Sequence, residues 1–215
     1  GPGYQPVNDF LRQLGQLSGA IRDDVATSVG LTFTATTALL CSAIRKLSAV
    51  APPQEVEQPL YRAVRGELPH SFWVKDKQGM ICAVDTGFMS TSKNRETPIH
   101  YMGQNGNVLW ELAPSGESDT AYHRGASVEL LSQFPGEEEV LFPPCTMLVA
   151  KNEAERKRGR SSSRSSASLG LEGQETSPKI EGAVEASLAV HTERGTTQHG
   201  EIVTFVSIGV KPFFV

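Results

Sequence analysis

Three short stretches of the 215-residue chain carry side chains whose types could do chemistry together. Arg62 stands in "LYRAVRG", the hydroxyl residues 90–92 stand in "GFMSTSKN", and Glu137 and Glu139 stand in "SQFPGEEEVLF". A guanidinium is a planar, permanently charged fork of donors that suits phosphate. A carboxylate stabilises positive charge that develops in a transition state, and a neighbouring hydroxyl can orient that carboxylate. These residue types suit a site that holds a phosphate compound while an anion stabilises a developing cation, whereas each stretch taken alone also fits a surface charge, a solvated turn or a helix cap.

The elements that must position these side chains follow from the spacing of apolar residues. Apolar positions recur at helical spacing from residue 7 to about residue 50, which predicts two helices. Beyond Pro59 the chain changes to short apolar runs separated by Gly, Pro, Asn and Asp, which is typical of strands and turns. The strand candidates are residues 59–64, 106–112, 139–144, 146–150 and 201–210, with a further one in 183–195. In residues 201–210, Ile202, Thr204, Val206, Ile208 and Val210 alternate onto one face. The pattern predicts an α+β fold.

Residues 151–179 differ in composition from the rest of the chain, because they are rich in Ser, Arg and Gly and poor in large apolar residues. We expect this segment to be disordered. It is either a tolerated insertion in a hairpin loop or a phosphorylation or docking segment. We therefore expect one domain over residues 1–215, with a tag scar at 1–3, helices at 7–50, a β core at 59–150 and 201–215, and the insertion at 151–180.

Composition narrows the classes of partner. The formal net charge of -4 and the pI near 5.8 do not favour nucleic acid. No apolar run approaches the roughly 20 residues of a membrane helix, so we expect no membrane partner. Three cysteines without CxxC spacing favour neither a disulfide framework nor structural zinc. We expect a monomer in the cytoplasm, with secretion as the alternative if a leader has been removed.

The three stretches occur in the order, and with the flanks, of a known family. Tyr61 precedes Arg62, residues 87–92 read Gly-Phe-x-Ser-Thr-Ser, and residues 132–141 read Ser-x-aromatic-Pro-x-Glu-x-Glu-aliphatic-Leu. The chain resembles the arginine-specific mono-ADP-ribosyltransferases of the Arg-Ser-Glu class, and in particular their protist branch. The resemblance covers about residues 60–150 and the final strand. The N-terminal helices match loosely, and the segment after residue 150 does not match.

The resemblance implies an ADP-ribosyltransferase fold, with two packed, mostly antiparallel β-sheets around an NAD cleft and helices on the N-terminal side. It implies transfer of ADP-ribose from NAD to an arginine of a protein, or of the protein itself, with release of nicotinamide. Glu139 is the implied catalytic glutamate, because it immediately precedes the aliphatic-leucine pair, and it acts with Glu137, Ser90 and Arg62. A glutamate at 137, where other members have glutamine, points to arginine as the acceptor.

Further residues follow from the resemblance. Ser90 would orient Glu139, and Thr91 and Ser92 would donate to the nicotinamide and ribose side. Phe134, in a turn formed by "FPG", would meet the substrate protein. Arg65 and Arg95 are candidates for phosphate contact, with a plain surface charge as the alternative. The expected NAD-binding residues are Arg62, Ala63, Gly66, Gly87, Phe88, Ser90, Thr91, Ser92, Arg95 and Glu139.

The acidic triplet at 137–139 can be assigned to faces. If a strand begins near Glu137, alternation turns Glu137 and Glu139 into the cleft together and turns Glu138 away.

NAD is expected as a substrate, since no Gly-x-Gly-x-x-Gly turn opens a helix anywhere in the sequence. The five histidines show no metal-ligand spacing, and we expect no metal. Two alternatives remain. One is an NAD glycohydrolase that uses water as the acceptor, and the other is a silent NAD-sensing or protein-binding module, although such a module has no need for Glu139.

Overall fold

A computed structural model of the chain describes residues 4–16, 33–52, 55, 58–103, 106–115, 124–152 and 188–213. Its helices are α1 (Tyr4–Gln16), α2 (Thr34–Ala49) and the short α3 (Glu96–His100). Its strands are β1 (Leu60–Arg65), β2 (Cys82–Asp85), β3 (Met89–Ser92), β4 (Asn107–Leu112), β5 (Ala126–Ser127), β6 (Glu139–Phe142), β7 (Thr146–Ala150), β8 (Val190–Thr196) and β9 (Ile202–Phe213). The expected α+β class is confirmed.

Hydrogen bonds join the strands in the order β2-β7-β9-β4-β1-β3-β6-β5, and β8 pairs with β9. All pairs are antiparallel except β4 with β9. Within the described residues, β1 and β3 share one residue pair, Tyr61 with Ser92. The larger half of the sheet and the β3-β6-β5 half therefore meet at a narrow junction, and this junction lies between the first two of the three stretches.

The core explains why β9 is apolar on both faces. Ile208 and Val210 pack in the main cluster with Trp110, whereas Val203 and Phe205 pack in a second cluster on the other side. A strand that is buried on both faces reads as a nearly continuous apolar run. The expected alternation is present, but Ile202 at the start of the strand is 77% exposed.

Helix α1 is anchored to the segment that precedes β3. The Asn8 side chain, which is 1% exposed, accepts a hydrogen bond from the Phe88 backbone N–H at 2.7 Å and donates to the Phe88 carbonyl at 3.1 Å. A Cβ on Gly87 would lie 3.0 Å from the Asn8 amide oxygen, so a glycine lets the helix approach. The N-terminal helix thus helps to hold the central stretch of the site.

Two expectations concern residues beyond those described. The C-terminal part of the first predicted helix lies outside them, and so does the expected insertion at 151–179, except for Lys151 and Asn152. Among the described helices, none has the length and apolar character needed to cross a membrane.

Candidate active site

The three stretches meet in one cleft at the β1–β3 junction. The cleft has a volume of about 380 Å³ and is walled by β1, β3, α3 and the segment that leads into β6. Its lining residues are Tyr61, Arg62, Ala63, Arg65, Ser90, Thr91, Ser92, Thr97, Pro98, Tyr101, Glu137 and Glu139. The four residues expected to be catalytic, Arg62, Ser90, Glu137 and Glu139, are therefore brought together.

Ser90 and Glu139 lie diagonally across the β3–β6 pair, in which Ser90 is opposite Leu141 and Glu139 is opposite Ser92. The Ser90 hydroxyl donates to Glu139 Oε1 at 2.5 Å, which is within the usual range for an O–H bonded to a carboxylate. Next to it, Thr91 donates its hydroxyl to the Val140 carbonyl at 2.7 Å and is 3% exposed. The serine therefore fixes the carboxylate, and the threonine ties the two strands together.

The acidic triplet does not form a strand, so the expectation based on strand alternation is wrong. Residues 135–137 form a 3-10 turn, Glu138 has a φ of 48°, and β6 begins only at Glu139. Glu137 and Glu139 nevertheless both line the cleft, and Glu138 is not among the described residues that do so. The left-handed residue between them, rather than the two-residue period of a strand, brings the outer glutamates to the same side.

Contacts from β3 and from the end of α3 hold Glu137. Its backbone carbonyl accepts the Ser92 hydroxyl at 2.7 Å, and its carboxylate Oε1 accepts the Tyr101 hydroxyl at 2.8 Å. The carboxylate bond raises the pKa of the Tyr101 phenol, because a nearby negative charge disfavours a phenolate. Since Ser92 and Thr91 already donate to backbone carbonyls, their expected donation to NAD stays a prediction that requires those bonds to exchange.

Arg62 forms two hydrogen bonds at the junction between β1 and β3. Its Nη1 donates to the Ser90 carbonyl at 2.8 Å, and its Nη2 donates to Asp85 Oδ2 at 3.1 Å. Asp85 also accepts from Arg12 of α1, with the Nε–Oδ1 distance at 3.4 Å, and from the Gly87 backbone N–H at 3.0 Å. One carboxylate therefore holds two guanidinium groups and the turn before β3.

A further cavity of about 530 Å³ is also lined by Arg62. Its walls include Arg12, Asp85 and Trp110. Arg62 is the residue that the two cavities share among their lining residues.

The remaining expected NAD contacts are not in the described wall of the cleft. Gly66 has a φ of 94° and donates its N–H to the Gly106 carbonyl at the end of β1, and Gly87 and Phe88 are buried against Asn8. Arg95 pairs with Glu193 at 2.6 Å and lies over the Phe205 ring. Each of these four residues has a local structural role, and its expected contact with NAD stays a prediction.

Phe134 has the exposure that its expected role requires, whereas Arg65 has a different partner from the expected one. Phe134 is 62% exposed, beside the 3-10 turn that carries Glu137. Arg65 lines the cleft, but its Nε and Nη2 donate to the Tyr101 carbonyl at 3.2 and 2.9 Å. Arg65 therefore fixes the end of α3.

Sequence analysis missed Asp85, Tyr101, Asn8 and Arg12. Asp85 and Gly87 flank a threonine in a pattern typical of a turn, so the sequence shows no partner for the carboxylate. Tyr101 follows α3 without any motif that marks it. Among the described residues, no cluster of three or more His, Cys, Asp or Glu side chains could hold a metal ion. The expectation that no metal is needed stays a prediction.

Several solved structures are similar to this chain. The ADP-ribosyltransferase HopU1 of Pseudomonas syringae pv. Tomato DC3000 is 19% identical, with 96% of this chain and 66% of that one covered and a TM-score of 0.48. The catalytic domain of VsdC from Aeromonas hydrophila is 17% identical, with 97% of this chain and 93% of that one covered and a TM-score of 0.45. The ADP-ribosyltransferase Vis, solved with an inhibitor, is 18% identical, with 97% of this chain and 67% of that one covered and a TM-score of 0.44.

The chain spans just under two thirds of the length of HopU1. No protein-family model matches the sequence, and no curated protein matches it.

Proposed function

We propose that the protein is a mono-ADP-ribosyltransferase that transfers ADP-ribose from NAD to an arginine side chain of a protein and releases nicotinamide. The observation that carries this proposal is the 2.5 Å hydrogen bond from Ser90 to Glu139, in a cleft that Arg62 and Glu137 also line. The sequence motifs around these four residues, which resemble those of the Arg-Ser-Glu class, support the same reaction.

The two cavities suit a dinucleotide. Arg62 lines both the cavity of about 380 Å³ and the cavity of about 530 Å³, and a dinucleotide consists of two nucleotides joined by a diphosphate. A guanidinium can bind phosphate oxygens through two parallel hydrogen bonds, and Arg62 keeps N–H groups beyond the two that bond Ser90 and Asp85. We assign the diphosphate to Arg62, with Arg12 close by, because both cations are already held in place by Asp85.

Bond cleavage depends on Glu139. The C–N bond between ribose and nicotinamide breaks, its electron pair leaves with the nicotinamide, and positive charge develops on the ribose as an oxocarbenium-like cation. An anion next to that ribose lowers the barrier, provided that the anion does not have to reorient during the reaction. Ser90 supplies this preorganisation, because its hydroxyl fixes one oxygen of the Glu139 carboxylate.

The acceptor step depends on Glu137. An arginine side chain stays protonated at neutral pH and is a poor nucleophile. Its attack on the ribose forms a new C–N bond and releases a proton, so a carboxylate that aligns the guanidinium and takes the proton assists the step. Glu137 lines the same cleft as Glu139, and the exposed Phe134 beside it offers an apolar contact to a protein substrate.

Water can replace arginine as the acceptor, since the contact between Ser90 and Glu139 does not involve Glu137.

The experiment is to incubate the protein with NAD labelled in its adenylate part and with agmatine, a small guanidine, and to separate ADP-ribosyl-agmatine from free ADP-ribose. We expect both products from the wild-type protein. A Glu137→Gln variant should lose the agmatine product and keep slow formation of ADP-ribose.

Two results would overturn parts of this proposal. If wild-type protein forms ADP-ribose and no agmatine product, the protein is a glycohydrolase. If Glu137→Gln loses both products together, Glu137 belongs to the machinery that cleaves NAD.

A further inference from the structure

Glu137 is not held by regular secondary structure. It ends a 3-10 turn, and the residue after it has a positive φ, so no strand ladder sets the direction of its side chain. A glutamate has several rotamers of similar energy, and a half-exposed one samples them unless a partner selects one. The partner that the structure provides for the carboxylate is the Tyr101 hydroxyl, at 2.8 Å from Oε1.

Hydrogen bonds to the backbone of Tyr101 hold this residue in place. The Arg65 guanidinium donates two hydrogen bonds to the Tyr101 carbonyl, and the Tyr101 N–H donates to the Pro98 carbonyl at the end of α3. The ring lines the cleft and is 49% exposed, so its hydroxyl reaches Glu137 from the opposite wall. The chain from Arg65 through Tyr101 to Glu137 thus connects the end of β1 to the loop that carries the acceptor glutamate.

We propose that Tyr101 is a positioning residue for the acceptor, which acts by holding the Glu137 carboxylate in the orientation that receives an arginine side chain. This inference rests on the proposed function. The phenol O–H occupies one lone pair of Oε1, and the remaining lone pairs of the carboxylate stay available for a guanidinium. In the described part of the chain the Tyr101 hydroxyl bonds Glu137, whereas Glu139 is bonded by Ser90, so loss of the Tyr101 hydroxyl bears on transfer far more than on NAD cleavage.

The test is Tyr101→Phe, which keeps the ring and removes the hydroxyl. Because one hydrogen bond to a charged group is lost at a partly exposed site, we expect the specificity constant kcat/KM for agmatine to fall about tenfold. The KM for NAD and the rate of NAD hydrolysis without agmatine should change much less than this, because phenylalanine keeps the ring that lines the cleft. A purely structural role would instead lower both activities together with the midpoint of thermal unfolding.

A spectroscopic measurement checks the contact independently of activity. The Tyr101 phenol is titrated by its ultraviolet absorbance, as the difference between the wild-type protein and Tyr101→Phe. Since the Glu137 carboxylate raises the pKa of this phenol, Glu137→Gln should bring the pKa back toward the usual value for tyrosine.

The outcomes separate this inference from the proposed function. Wild-type protein that cleaves NAD and modifies no agmatine refutes the proposed function, and the inference falls with it. Wild-type protein that does modify agmatine leaves the function standing. In that case the inference is overturned if Tyr101→Phe transfers at the wild-type rate, or if it loses hydrolysis and transfer equally.

Discussion

Ser90→Ala removes the contact on which the proposed chemistry depends most directly. The hydroxyl donates to Glu139 at 2.5 Å, and both side chains are half-buried. A hydrogen bond to a charged group is worth about 1.5 to 3 kcal/mol, and the openness of the cleft to water favours the lower half of that range. Since about 1.4 kcal/mol corresponds to a factor of ten in rate, we expect kcat for NAD cleavage to fall roughly 10- to 40-fold.

The loss should appear in the rate and hardly in stability. Water can take the place of the hydroxyl next to Glu139, so we expect the free energy of unfolding to change by less than about 1 kcal/mol. Substrate binding should also change little, because the oriented carboxylate acts mainly on the cation of the transition state.

The assay for Ser90→Ala measures nicotinamide release at saturating NAD, together with the KM for NAD and a thermal unfolding curve. Thr91→Ala is the matched comparison, since its hydroxyl bonds the Val140 backbone. Thr91→Ala should lower the unfolding midpoint, because it removes a buried hydrogen bond between β3 and β6. The reasoning is refuted if Ser90→Ala cleaves NAD as fast as the wild-type protein, or if its loss of rate is matched by a loss of folded protein.

Two further predictions concern the guanidinium groups. Arg62→Lys should weaken NAD binding, measured by calorimetry, because one ammonium cannot reproduce the fork that bonds Ser90 and Asp85; unchanged affinity would contradict the diphosphate assignment. Asp85→Asn leaves two cations without their shared counter-ion, so we expect a loss of about 1 to 3 kcal/mol of stability and a fall of a few degrees in the unfolding midpoint. Asp9→Asn, on the exposed side of α1, is its control and should unfold like the wild-type protein.

Local patterns in the sequence predicted much of the fold. The runs that became β1, β4, β6, β7 and β9 each combine apolar residues with flanking turn residues, and such signals need no knowledge of distant contacts. The apolar pattern missed β2, β3 and β5, because four, four and two residues are too short to show a period. Their place is determined by pairing with β7 and β6 instead.

The parts of the site in which a motif lies on a strand could be predicted from the sequence. The parts in which contacts between distant residues determine the backbone conformation or the side-chain partner could not. Glu139 begins a strand whose apolar run is visible in the sequence, and it lies opposite Ser92 of the Gly-Phe-x-Ser-Thr-Ser motif. The positive φ at Glu138 has no local signal, since it depends on the Ser92 hydroxyl at the Glu137 carbonyl and on the Lys93 N–H at the Glu138 carbonyl. Similarly, Arg95 looked like a free cation because its partner, Glu193, lies 98 residues away in the sequence.

The central claim is that Glu139 provides the anion for cleavage of NAD, and the neighbouring Glu138 offers a control with the same chemistry. The measurement is nicotinamide release from NAD by Glu139→Gln and by Glu138→Gln, with NAD binding to each variant followed by calorimetry. We predict that Glu139→Gln binds NAD but cleaves it at least about 100-fold more slowly, since loss of one preorganised electrostatic contact typically has an effect of that size. Glu138→Gln should cleave NAD like the wild-type protein. A Glu139→Gln variant that keeps half of the wild-type rate, or a Glu138→Gln variant that loses it, would contradict the account.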